Sequence, residues 1–247
     1  MMAQLARLLG LVVVSLLSLQ LYFALRVAAM LLLDPQSTTF QRSEAWRLWS
    51  SRGIAGWSQS WVAGSEISDH LKRAVIASED AGFVDHSGIE WDAIERAWER
   101  NQRAQSIAER GPASVAKSTG RPRIPKLVGG STITQQLAKN LFLSGERTLP
   151  RKAQEFVIAW LLEGLLGKRR ILEIYLNHVE WGEGIFGAQA AAHHYFRTEA
   201  SRLNASAAAR LAVMLPAPKR FQRNPGSAYV AGRASTIAAR MDEVALP

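Results

Sequence analysis

The chain has 247 residues, 48% of them hydrophobic, enough for one well-buried domain and an appendage. Its 30 Lys and Arg against 21 Asp and Glu leave a formal net charge of +9, which favours an anionic partner: nucleic acid, an acidic membrane surface or a phosphorylated substrate. There is no cysteine, which excludes thiol catalysis, cysteine-ligated zinc and disulfides.

Residues 8–25 (LLGLVVVSLLSLQLYFAL) are uncharged, and VAAMLLL prolongs the apolar run beyond Arg26. That length predicts a transmembrane helix, with residues 1–33 as a cytoplasmic tip and anchor. VAAM leaves a cleaved signal open as the alternative. Arg7 ahead of the run places the N-terminus in the cytoplasm and everything after Asp34 outside. Residues 34–66 read as a juxtamembrane segment. It is crowded with Trp46, Trp49, Trp57 and Trp61, which suit either an interfacial belt or the core of a small subdomain.

The main domain, residues 67–247, is predicted to be mainly α-helical. A helix starts at Asp69 with Ser68 as N-cap. Leu71, Val75 and Glu79 form an i, i+4 row along it, so Glu79 extends an apolar face beside Asp80. Burial and a like charge both raise a carboxyl pKa toward that of a useful proton acceptor; the alternative is an acidic pair facing solvent. A second helix runs from Trp91 to about Ala108, and residues 109–128, rich in Pro, Gly, Ser and positive charge, read as a mobile loop.

GGSTITQQLAKNLFL (129–143) predicts a helix with Ser131 as N-cap. Thr132, Gln135, Gln136 and Lys139 share one face, with Asn140 at its edge, while Ile133, Leu137 and Leu141 share the other. Glycines ahead of a helix start make an anion site, amides and hydroxyls suit sugars, and an ordinary polar surface face is the competing reading.

Helices follow near Pro150 and at Lys168. Glu155 lies one turn beyond Arg151 and Lys152, which would keep it ionised, although a surface salt bridge has the same spacing. WGEGIFG reads as a turn. Its Gly182, Gly184 and Gly187 spell a nucleotide-loop pattern without the strand–turn–helix context that chemistry requires. SVAK and KSTG (114–120) mimic penicillin-binding signatures by chance, and His193-His194 has no ligand set around it. A last helix spans Ala207 to Met214 with Ser206 as N-cap.

EDAGFVDHSG, GGSTITQQLAKNLFL, RTLPRKAQE and KRRILEIYLNHVEWGEGIFGAQAAAHHYF, in that order over residues 67–222, resemble the successive motifs of the family 51 peptidoglycan glycosyltransferases. With one anchor and no penicillin-binding domain, the chain is similar to the monofunctional transglycosylases of Gram-negative bacteria. The resemblance implies a lysozyme-like helical fold and polymerisation of lipid II at the periplasmic face of the inner membrane, on a nascent glycan strand and not on nucleic acid. Glu79 falls on the family's catalytic base, which deprotonates the acceptor 4-hydroxyl as the donor's anomeric carbon is inverted and undecaprenyl diphosphate leaves. Glu155 falls on the second glutamate, near that diphosphate. Lys139 and Arg147 match phosphate-binding cations, and Ser131, Gln135, Gln136, Asn140 and Arg151 other cleft positions.

The family implies no certain cofactor. Mg2+ or another divalent cation near the diphosphate is compatible with it, although the sequence offers no dedicated ligand cluster. Cell-wall synthesis or division proteins are compatible partners that the sequence does not identify. Two departures stand out: Glu90 occupies a position where the family usually has Asp, and the loop over residues 101–128 is long. A lysozyme-like hydrolase or a basic membrane-tethered scaffold are the competing functions.

Overall fold

A computed structural model describes residues 1–53, 56–110, 130–146 and 148–247. The loop expected over residues 109–128 lies largely outside them, as does Arg147. At the loop's start, helix continues through Arg110, two residues beyond the predicted end.

Helix α1 (Met2–Ala29) is apolar on all sides, and its 28 residues span about 42 Å at 1.5 Å per residue. It is long and apolar enough to cross a membrane. Most of it is exposed. One seam, formed by Gln20, Phe23, Val27 and Met30 at helical spacing, turns toward the rest of the chain, and the last three of these join its hydrophobic core.

Helix α2 (Thr39–Arg52) opens on a capping box: the Gln41 N–H donates to Thr38 Oγ1 at 3.0 Å, and the Thr38 N–H donates to Gln41 Oε1 at 2.8 Å. Thr38, Gln41, Glu44 and Leu48 are buried, so residues 34–66 contribute packing as well as a tether. Of the four tryptophans, Trp46 and Trp49 are exposed, with ring centroids 5.0 Å apart. Trp57, also exposed, lies against Phe186, and partly buried Trp61 meets His178 edge-on.

Strand β1 (Ser58–Gln59) leads to α3 (Asp69–Glu79), where Ser68 caps as expected by accepting from the His70 N–H. Helix α4 (Trp91–Arg110) and α5 (Ile133–Phe142) follow. Then comes α6 (Leu149–His178), a 30-residue helix interrupted at Gly167. Its φ of 72° and ψ of 161° lie in a region essentially reserved for glycine, so the chain bends there and restarts at Lys168. The two helices expected near Pro150 and Lys168 are the two halves of α6.

Strands β2 (Glu180–Gly182) and β3 (Ile185–Phe186) form a hairpin from WGEG and IF, and β1 pairs parallel to β3, giving the order β1-β3-β2. Gly184, at φ 75°, approaches the Gly56 carbonyl so closely that a Cβ would sit 2.1 Å from its oxygen. The glycine pattern is therefore a close-packed turn, as read from sequence. The chain ends through α7 (Ala188–Phe196), α8 (Ala205–Met214), α9 (Pro218–Phe221) and α10 (Ala228–Ala238). Asn204, not Ser206, caps α8, because its Oδ1 accepts from the Ala207 N–H and starts the helix two residues early.

The core lies where α5 packs on α6 and where α8 packs on α3 and α10. Trp181 is fully buried, its indole N–H given to the Leu211 carbonyl at 3.1 Å. The fold is mainly helical, as predicted, with a minor sheet that links residues 58–59 to the hairpin.

Candidate active site

Helix α3 delivers two adjacent carboxylates to different environments. Leu71 and Val75 are fully buried, and Glu79, next in their row, is half-buried at the helix end. Its Oε2 accepts from Gln136 Nε2 at 3.0 Å. Burial is the main effect raising the Glu79 pKa above the ordinary glutamate value, and the nearby Asp80 charge adds to it. Hydrogen bonds from Gln136 and Ser78 work against that rise. The solvent-facing alternative for this pair is thus excluded.

Asp80 is occupied on both oxygens. Oδ2 accepts from the Ile133 N–H at 2.9 Å, and Oδ1 lies 2.8 Å from His86 Nε2. Since His86 Nδ1 accepts from the Gly88 N–H, its proton sits on Nε2 and is donated to Asp80. The Thr132 hydroxyl, in turn, accepts from the Gln135 N–H and donates to the Gly88 carbonyl at 2.6 Å.

This lock corrects two expectations. Thr132 is the N-cap of α5, and Ser131 is an exposed residue just before it. Thr132 prevails because its hydroxyl meets both the Gln135 N–H and the Gly88 carbonyl. The anion at the helix start is Asp80 itself, so the Ile133 and Gln135 N–H groups are already taken by protein oxygens.

Of the face expected to meet a ligand, Gln136 touches Glu79, Asn140 is half-buried and Lys139 is exposed. Gln135 is only 1% exposed, and among the described residues neither its amide oxygen nor its nitrogen has a partner. It therefore lies inside the protein and not on an open face.

The Gln136 amide is held at its other end. The Tyr175 hydroxyl donates to Gln136 Oε1 at 3.0 Å, leaving the NH2 group to face Glu79. Burial first, then the Glu79 and Asp80 charges, push the Tyr175 pKa well above its ordinary value, so the hydroxyl stays a donor. Sequence reading missed Tyr175. Its signal was a phenol within the apolar row of KRRILEIYLN, since a buried hydroxyl must find a partner.

The second carboxylate, Glu155, is 3% exposed on α6. Arg151 Nη1 donates to it at 2.9 Å, and Lys152 Nζ pairs with its other oxygen. This is a largely buried ion triad and not a surface salt bridge. Among the described residues buried Arg151 Nε has no partner, and Lys152 also sits over the Phe156 ring, 4.9 Å from its centre.

Among the described residues one group could bring three ligand atoms to a cation. Asp80, His86 and Glu90 place theirs within 4.8 Å of one another, a cluster that the sequence did not reveal. Asp80 and His86 are paired as above, and Glu90 Oε1 accepts from Arg96 at 2.6 Å.

Residues 50–242 match the family model described as transglycosylase. The chain is 49% identical over 236 residues to a biosynthetic peptidoglycan transglycosylase of Paraburkholderia phytofirmans, covering 96% of this chain and 90% of the relative. It is 51% identical to a protein of that name from Burkholderia thailandensis, over 94% of this chain and 83% of the relative. With its counterpart in Cupriavidus metallidurans it shares 50% identity over the full length of both. The mainly helical, lysozyme-like fold expected from the motifs agrees with this match.

Proposed function

Because the chain belongs to the transglycosylase family, we propose that it polymerises the glycan chains of peptidoglycan. The donor is a growing glycan linked to undecaprenyl diphosphate, and the acceptor is the GlcNAc 4-hydroxyl of lipid II. The relatives' shared name supports the class of reaction. Glu79 supports the chemistry and is the observation that carries this reading.

Its carboxylate is partly desolvated, raised in pKa, and oriented by Gln136, with Ser78 as a further hydrogen-bond partner. As a base it takes the proton of the 4-hydroxyl while that oxygen attacks the anomeric carbon from the face opposite the leaving group. The anomeric carbon–oxygen bond to the diphosphate breaks, and configuration inverts. The departing oxygen carries the electron pair away as diphosphate charge. Lys139, Arg147 and Arg151 stand in this reading as the cations toward which that charge develops, with Glu155 holding Arg151 and Lys152 in place. Ser131 and Asn140 stand at further cleft positions inherited from the motifs, whereas Gln135 is buried. No step runs through Asp80, His86 and Glu90, whose ligand atoms already serve one another and Arg96.

The membrane side of the reading follows from α1. A helix long enough to span a bilayer, with Arg7 before its apolar run, supports a catalytic domain on the periplasmic side of the inner membrane, where a lipid-linked donor can reach it. The test is to incubate the full chain, in detergent or bilayer, with labelled lipid II and separately with finished glycan strands. Long polymer from lipid II supports the proposal. Fragments released from finished strands would instead favour a hydrolase, and binding without turnover a scaffold.

A further inference from the structure

The anchor docks on the domain through a pair of amides. Gln20 Nε2 donates to Gln154 Oε1 at 2.9 Å, and Gln154 Nε2 donates back to Gln20 Oε1 at 2.9 Å. Gln20 sits six residues before Arg26, whose guanidinium bonds the Tyr22 hydroxyl and lies over the Phe142 ring. Gln20 lies about 9 Å along the helix axis from Arg26, inside the apolar run long enough to span a bilayer. No water competes for an amide there, so two glutamines satisfy each other or remain unpaired.

This pairing fixes register. Sliding α1 by one residue moves Gln20 by about 1.5 Å and turns it by about 100°, which orphans both amides. The rest of the seam reaches the ends of the helices that carry the candidate diphosphate groups. Phe23 packs edge-to-face on Phe142, the last residue of α5, three positions after Lys139. Gln154 immediately precedes Glu155. At the far end Arg170 Nε donates to the Met30 carbonyl at 2.9 Å. Alongside, Leu149, Val157 and Trp160 of α6 are exposed apolar side chains, compatible with lipid contact at this depth.

We infer that the Gln20–Gln154 pair is a positioning device that sets the height of the Glu155 cluster relative to the bilayer surface. This rests on the proposed function, because the height matters only if the diphosphate is held by a lipid in the same membrane.

The full chain in lipid vesicles tests it through Gln20→Leu, Gln154→Leu and the double variant. With long-chain lipid II, the KM should rise about five- to tenfold in all three, the cost of one or two intramembrane hydrogen bonds, while kcat stays within about twofold. With a short-chain lipid II analogue in detergent, where no bilayer sets a height, the variants should match the parent. A purely structural pair would instead make activity follow melting temperature in both assays. Because the chain has no cysteine, Gln20→Cys with Gln154→Cys can be joined by a short thiol crosslinker. The crosslink should form in membranes and restore the parental KM. Absence of the crosslink, failure of the crosslinked chain to recover, or unchanged KM in the leucine variants would each overturn the inference. A parental chain inactive on lipid II would overturn the proposed function and this role with it, while crosslink yield would still judge the contact.

Discussion

The Tyr175 hydroxyl stands 3.0 Å from Gln136 Oε1 and so decides which end of that amide faces Glu79. An amide that presents its NH2 group favours the ionised carboxylate and partly offsets the effect of burial. Gln136→Leu should therefore raise the Glu79 pKa further. Losing a hydrogen bond to a charged group, worth about 1.5 kcal/mol at the low end, moves a titration by about one unit. The acid limb of kcat/KM against pH should shift upward by that amount in Gln136→Leu and by less in Tyr175→Phe, where the amide survives unanchored. An unmoved limb in Gln136→Leu would show that Glu79 does not control it.

Glu79→Gln keeps the side chain's size and its hydrogen-bonding capacity but removes the base. Turnover of lipid II should fall by the ~10²–10⁴ typical of general-base loss. Binding of lipid II, measured by equilibrium titration, should persist. Near-normal turnover would sink the mechanism whatever the fold.

Glu155→Gln acts differently, because Arg151 and Lys152 lose their shared counter-charge. Breaking a buried pair costs about 3–5 kcal/mol, and the partial exposure of Lys152 puts this one near the lower end. Thermal denaturation should show that loss, and donor binding should change together with turnover. An unchanged melting temperature would mean that the triad does not hold its charges in place.

Topology is open to a separate check. A reporter fused after Pro247 that works only outside the cytoplasm should be active, since Arg7 ahead of the apolar run favours an N-terminus inside. Reporter activity confined to the cytoplasm would reverse the orientation.

What the sequence made legible was local. Leu71, Val75 and Glu79 share one helix, as do Arg151, Lys152 and Glu155, and helical spacing alone brings each set together. The long-range partners were not legible. Tyr175 meets Gln136 across 39 positions, Asp80 meets Ile133 across 53, and Gln20 meets Gln154 across 134. Those contacts depend on how helices cross, which no spacing encodes. The same limit explains the misplaced cap: Ser131 and Thr132 are both hydroxyl residues, and the choice rests on the distant Gly88 carbonyl.

One acidic group outside the candidate site should govern stability near neutral pH. Glu180 is 7% exposed, and burial pushes its pKa up to about 7. Lys219 opposes that shift, but its Nζ lies 2.6 Å from Glu44 Oε2 and 3.6 Å from Glu180 Oε1, so Glu44 has the closer claim. Burial also pushes the Glu44 carboxyl up, yet hydrogen bonds from Lys219 and Arg47 bring it below its ordinary value, and its charge adds to the rise at Glu180. A carboxyl whose folded pKa is raised contributes fully below its unfolded value near 4.5, and that contribution is lost as pH rises through about 7. The loss amounts to about 3 kcal/mol over that window. Glu180→Gln mimics the protonated form, so its stability should stay flatter from pH 5 to 8 and exceed the parent's at pH 8. Melting curves of both chains in one detergent, taken at half-unit pH steps, measure the difference. Equal differences at pH 5 and pH 8 would show that Glu180 ionises without penalty and that Lys219 serves both glutamates.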